Sequence, residues 1–247
     1  MVASGGTMEI YMIEIDSLHK QIDGRTIVSN LSLSIQKGSV FGFLGPNGAG
    51  KTTTMKILVG LNHPSSGRVT IDGHAPSETL TREKLGFMPE APYFYEHLTG
   101  LEFLRFCGEL FARPRGEAAY EALLRKVGIF EAKDQRITTY SKGMKQRLGF
   151  AQALVNDPEY VFLDEPLDGL DPIGRRALKS MIRELKHDGR TVFFNSHILF
   201  DTEELCDEIG ILNRGSLLFA GPLGEFTRGL SLEEQFVATI EQLEVTA

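Results

Sequence analysis

Polar and apolar residues alternate from Glu9 to Leu18 and again from Ile27 to Ile35, where Leu31, Leu33 and Ile35 share one face. A period of two predicts two β-strands, joined by the polar turn at Asp23-Gly24-Arg25 and closed by Gln36-Lys37-Gly38. Ser39 to Leu44 is a strand-like run, and Thr54 to Leu58 reads as helix. A Pro64-Ser65-Ser66-Gly67 turn leads to a strand at Arg68–Ile71, ended by Asp72-Gly73. Leu85 to Glu90 predicts a short buried strand that finishes on a carboxylate.

Helical spacing then takes over. Thr99 and Glu102 form a capping-box pattern ahead of Leu104, Cys107 and Phe111, and helical patterning returns from Glu117 to Val127. Ser141 heads a helix over Lys142–Val155, with Met144, Leu148 and Ala151 on one face. Tyr160–Leu163 predicts an apolar strand running into Asp164-Glu165, followed by a helix from about Gly174 to His187. A strand at Thr191–Phe194 ends at Asn195-Ser196-His197, and further strands are expected near Glu208–Leu212 and Ser216–Phe219. The last segment is an amphipathic helix, with Ser231 and Glu234 as a capping box and Leu232, Phe236, Val237, Ile240 and Leu243 apolar.

This order predicts an α/β protein with a mainly parallel sheet, a small antiparallel β subdomain and an inserted helical subdomain at about 95–155. Residues 1–7, small and polar, are expected to be a disordered tail; 8–230 form the main domain and 231–247 the C-terminal helix. Net charge is −7 with no long basic run, which argues against a nucleic-acid groove. Cys107 and Cys206 are far apart and read as small buried hydrophobes in a reducing compartment. No stretch approaches the roughly 18 consecutive apolar residues of a membrane span. A cytoplasmic protein is expected unless something else holds it at a membrane.

The candidate chemistry starts with Gly45-Pro46-Asn47-Gly48-Ala49-Gly50-Lys51-Thr52-Thr53, set between a strand and a helix. Its glycines let backbone N–H groups turn inward as a nest for phosphate oxygens, and the helix adds its positive end. Lys51 is placed to reach β- and γ-phosphates, and Thr52 to ligand Mg²⁺. This pattern predicts a core of the P-loop NTPase type. In a parallel sheet ligands sit beyond the carboxyl ends of the strands. Three strands there end in Glu90, in Asp164-Glu165 and in His197. A histidine after a strand is more often structural, and a carboxylate after Pro89 can be a solvated turn. Adjacent carboxylates after four apolar residues are harder to dismiss, because burying charge is costly without a partner. Asp164 is expected on Mg²⁺, Glu165 on the attacking water, and His197 beside the γ-phosphate.

The P-loop, Leu85–Glu90, Tyr140–Leu148, Tyr160–Glu165, Leu167–Asp171 and Asn195–His197 occur in the order found in ATP-binding-cassette (ABC) ATPases. The chain resembles that family over about residues 8–230, and Ser141–Arg147 is similar to cassettes serving ABC-2 type exporters. The resemblance implies an ATP-hydrolysing motor subunit using ATP and Mg²⁺, with Lys51, Glu165 and His197 catalytic and Thr52, Glu90 and Asp164 around the metal. It implies a head-to-tail cassette pair, expected to be a homodimer, in which Ser141 and Gly143 face the opposite subunit's γ-phosphate and Asp171 crosses the interface. An ABC-2 type permease on a separate chain would hold the protein at the inner face of the membrane. The competing reading is a soluble non-transport cassette, which typically carries a coiled-coil insertion or two tandem cassettes; this chain has neither. Four positions depart from the common pattern. Glu90 stands where glutamine is frequent, and Lys142 and Met144 replace a glycine and a glutamine. Ile22 falls where an aromatic ring usually stacks on adenine, so Ile22 is expected to cover the base.

Overall fold

The computed structural model describes residues 11–245, with side chains described for 12–242. The expected tail at 1–7, the start of the first strand and Leu243 of the last helix lie outside that range. In chain order the strands and helices are β1 (Tyr11–Ile22), β2 (Arg25–Gln36), β3 (Val40–Leu44), α1 (Lys51–Leu58), β4 (Ser66–Ile71), α2 (Thr79–Arg82) and β5 (Leu85–Met88). Then come α3 (Gly100–Gly108), α4 (Glu117–Lys126), α5 (Lys142–Ala153), β6 (Tyr160–Asp164), α6 (Pro172–His187) and β7 (Thr191–Asn195). The chain closes with α7 (Leu199–Leu205), β8 (Glu208–Asn213), β9 (Ser216–Pro222), α8 (Leu223–Thr227) and α9 (Leu232–Val245).

Two sheets form. The larger has the order β5-β6-β7-β3-β8-β9, parallel throughout except for the last pair, β8 with β9. The smaller is antiparallel, β2-β1-β4, so β4 joins the two early strands as a third member. Those early strands are 12 residues each, longer than the alternation predicts. Strict alternation breaks at a register shift between Ile15 and Leu18, where Ser17 takes φ +51°, and Ile13, Ile15 and Leu18 all stay buried. An extra residue at such a bulge re-aims the strand without exposing its core face.

Alternation along the central strands sorts their side chains into two cores. Phe41, Phe43, Phe162 and Phe193 face the small sheet, with Phe41 and Phe193 stacked at 5.4 Å. Val40, Leu44, Val161, Leu163 and Phe194 face the other way, into a core shared with α5, α6 and the helical insertion. Within that insertion Phe94, Leu101, Phe103, Tyr120 and Leu124 are buried together. Gly108 permits this packing, since a Cβ there would meet the Tyr120 hydroxyl at 2.0 Å.

Both expected capping boxes are present: Thr99 accepts from Glu102 N at 3.2 Å and Ser231 from Glu234 N at 3.2 Å, each with the glutamate bonded back to the cap N–H. β5 stops at Met88, so Glu90 follows the strand in an exposed loop. α1 begins at Lys51 rather than Thr54, because the phosphate loop runs directly into its first turn. Three short helices, α2, α7 and α8, lack a readable apolar period. No helix among the described residues is long and apolar enough to cross a membrane.

Candidate nucleotide site

The carboxyl ends of β3, β6 and β7 are neighbours, and their loops enclose a cleft of about 620 Å³. Asn47 through Thr53, Glu90, Asp164, Glu165, His197 and Ile27 line it. Gly45 (φ +152°) and Gly50 (φ +108°) occupy backbone conformations closed to other residues. A Cβ on Gly45 would also strike the Leu212 carbonyl at 2.1 Å. Lys51, 8% exposed, donates to the carbonyls of Gly45 at 2.6 Å and Pro46 at 3.1 Å, so those two residues seat the lysine. Burial lowers the Lys51 pKa, while Glu165, Asp164 and Glu90 pull it back.

Asp164 is almost wholly buried and accepts from Asn195 Nδ2 at 2.8 Å and from Thr52 Oγ1 at 3.4 Å. Glu165, the next residue, has φ +51° and turns its carboxylate the other way, to His197. His197 Nδ1 lies 2.8 Å from Glu165 Oε2, and the His197 backbone N–H donates to the same oxygen at 3.3 Å. Burial raises the Glu165 pKa, and the His197 charge and hydrogen bonds offset part of that. The pair of adjacent carboxylates is therefore divided, one toward Thr52 and one toward His197.

Two further residues emerge. Asn195 pairs with Asp164 in the β6–β7 register, a relation between segments that sequence spacing does not display. Gln146, 5% exposed, donates from its side-chain amide to the backbone oxygens of Glu165 and Pro166, both at 3.1 Å.

Other expected residues lie elsewhere. Ser141, Gly143 and Asp171 line a second cleft of about 420 Å³ with Met144, Gly169 and Leu170. Ser141 caps α5, accepting from Met144 N at 3.2 Å. Asp171 caps α6 within its own chain, accepting from Gly174 N at 2.6 Å. Ile22 ends β1 with 42% exposure and lies outside the lining of this cleft, to which β2 contributes Ile27. The Asp23-Gly24 turn reverses the chain just after Ile22, and β2 carries Ile27 back over the loop, where its carbonyl lies 2.8 Å from a Cβ position on Gly50.

The donor set fits Mg²⁺. Thr52 and Asp164 already share a hydrogen bond, and Glu90 stands on the same cleft. Among the described residues no group of three or more His, Cys, Asp or Glu forms a protein-only cage. Mg²⁺ uses one or two carboxylates and completes its octahedron with water and phosphate oxygens.

Strand, glycine-rich loop and helix, with a seated lysine and carboxylates on the adjoining strand, define a P-loop NTPase fold. The family described as "ABC transporter" matches residues 28–168. An uncharacterised ABC transporter ATP-binding protein of Synechocystis sp. is 50% identical over 199 residues, 79% of this chain and 56% of the relative. The chain thus spans just over half of that relative's length. The bacitracin transport ATP-binding protein BcrA of Enterococcus faecalis is 40% identical over 84% of this chain and 68% of its own. The solved structure of an ATP-binding subunit of an ABC transporter superposes with a TM-score of 0.85 at 30% identity, over 93% of this chain and 99% of that one. The chain belongs to the ABC transporter family as an ATP-binding cassette, and cassettes of that family hydrolyse ATP.

Proposed function

We propose that this chain is the ATP-hydrolysing motor subunit of a membrane exporter, working as a head-to-tail pair of identical cassettes under an ABC-2 type permease at the cytoplasmic face. The observation that carries the pairing is the division of the expected site. The phosphate loop and catalytic pair line one cleft, and Ser141, Gly143 and Asp171 line another. One chain holds two half-sites, and a second copy in opposite orientation completes both. Ser141, at the start of α5, suits an anion held by the facing subunit.

In the completed site the loop N–H groups and Lys51 bind the β- and γ-phosphates. Glu165 takes the proton of the attacking water, and His197 fixes the Glu165 carboxylate through the two contacts described above. Thr52, Glu90 and Asp164 hold Mg²⁺, which when bound offsets phosphate charge. Transport is supported by the BcrA relative, whose name assigns it to bacitracin transport.

Glu165→Gln tests this reading. A positioned base typically contributes about 10² to 10⁴ in rate, so the variant should bind ATP, lose turnover by that order and run as a dimer on size exclusion with ATP. Lys51→Ala should weaken nucleotide binding itself. A Glu165→Gln protein that stays monomeric at saturating ATP would remove the pairing.

A further inference from the structure

We propose that Gln146 is a positioning residue that ties the start of α5 to Glu165 of the same chain, so that contact made at Ser141 adjusts the base. The inference rests on the reading that Ser141 serves the facing subunit's nucleotide. Its structural basis is the way the loop after β6 lies along α5. Gln146 bonds the carbonyls of Glu165 and Pro166, Lys142 reaches Asp168 at 3.1 Å, and Arg147 lies 3.9 Å from Asp171.

These contacts are unequal. Lys142 and Asp168 are 72% and 51% exposed at their side chains, and surface pairs of that kind contribute little. Gln146 is buried, and its amide has two N–H donors matched to two successive carbonyls. Removing the amide takes the side-chain donor from the Pro166 carbonyl in a protein interior, and leaves the Glu165 carbonyl held only by the Asp168 N–H at 3.2 Å. Glu165 has a φ of +51°, a conformation that a glutamate keeps only when its surroundings enforce it. Gln146 is part of that enforcement from the backbone side, and His197 from the carboxylate side.

Transmission follows from helix mechanics. Ser141 caps α5 and Gln146 lies five residues on, about 7.5 Å along a rigid helix. A shift of the helix start therefore moves the Gln146 amide with it. The Glu165 carbonyl follows, and with it the direction of a carboxylate that must meet an attacking water. A misplacement near 1 Å can cost on the order of 10² in rate. Each cassette would in this way sense the nucleotide of its neighbour before committing its own.

Gln146→Met keeps the length of the side chain and removes both donors; Gln146→Glu, an acceptor facing acceptors, is the second variant should the first fail to fold. The expected result is a kcat lowered by about 10², with the KM for ATP within about twofold of wild type, since phosphate binding is untouched. Ser141→Ala should also lower kcat. If the two residues act through one helix, the double variant should lie within about threefold of the worse single one. Wild-type kcat in a folded Gln146 variant would overturn the proposal, as would a double variant whose loss equals the product of the two single losses. ATP-dependent dimerisation of Glu165→Gln judges the pairing separately, so a failure there is distinguished from a failure of Gln146.

Discussion

Asn195 holds the Asp164 carboxylate from the neighbouring strand: its Nδ2 donates to Asp164 Oδ1 at 2.8 Å, and the two residues are register partners in β6 and β7. Asn195 is fully buried, and its own Oδ1 has no hydrogen-bond partner among the described residues. The same Nδ2 also reaches Met55 Sδ at 3.9 Å, and a buried amide held at both points fixes the direction of the carboxylate it bonds. Residues behind metal ligands typically tune metal affinity by 10- to 100-fold. Asn195→Leu should therefore reduce the gain in ATP affinity that Mg²⁺ provides by about tenfold, and leave metal-free ATP binding unchanged. Titrating a fluorescent ATP analogue with and without Mg²⁺ reads this out, and an unchanged gain would show that Asp164 needs no such support.

Tyr93 and Tyr95 mark a different surface. Of the three consecutive aromatics, Phe94 is buried against Phe103 at 5.2 Å, while Tyr93 is 82% and Tyr95 44% exposed. Tyr95 also meets the exposed Phe106 edge-on at 5.2 Å, extending the aromatic surface onto α3. A permease contact here would sit a few residues from Glu90 of the nucleotide cleft. Truncating an aromatic at the centre of an interface can cost ~2 kcal/mol or more. Replacing Tyr93 and Tyr95 together by Ser should keep the melting temperature and basal ATPase and release the protein from membranes carrying the permease. Unchanged cosedimentation with those membranes would exclude this surface.

The two cysteines give a pH-dependent expectation. Both are buried and unpaired. Burial pushes the Cys107 thiol up to about 11 and moves Cys206 well above its usual range. The thiolate is the reactive form, so at pH 8 only about a thousandth of Cys107 is reactive even where reagent can reach it. Native protein should resist a maleimide or an aromatic disulfide reagent at pH 8, and both thiols should react once denaturant is added. Rapid labelling of the native chain would contradict the burial.

How much of this was legible in the chain depends on whether the chemistry is local. The phosphate loop is readable because its residue types are consecutive and each has a task, and the structure sets Gly45 and Lys51 in contact at the turn from β3 into α1. The Asp164-Glu165 division followed from the alternation of adjacent side chains, although the positive φ of Glu165 did not. Asn195 was read only as a strand end, because its partner lies 31 positions away and the pairing depends on register. Gln146 sits among basic residues on α5, and nothing in that run marks it as the inward one. Ile27 carries no mark in the sequence, because the two-residue turn after Ile22 decides which part of β2 returns to the loop. α7 went unseen because Ile198-Leu199-Phe200 is apolar without a helical period, and its first residue lacks a side-chain cap.

The backbone of Glu165 has a consequence for the temperature at which the protein melts. A left-handed conformation costs a side-chain-bearing residue about 1–2 kcal/mol, and glycine escapes that cost. The Glu165 carboxylate is also held in a site whose burial disfavours its charge. Glu165→Gly removes both penalties along with the base. In a chain of this size each kcal/mol corresponds to roughly 2–4 °C in Tm, so the inactive variant should melt a few degrees above wild type in a calorimeter. A lower Tm would mean that the His197 contact outweighs the backbone cost. Screening this protein for thermal stability alone would then select against the glutamate proposed as its base, and heat resistance gained at that position would be a sign of lost turnover.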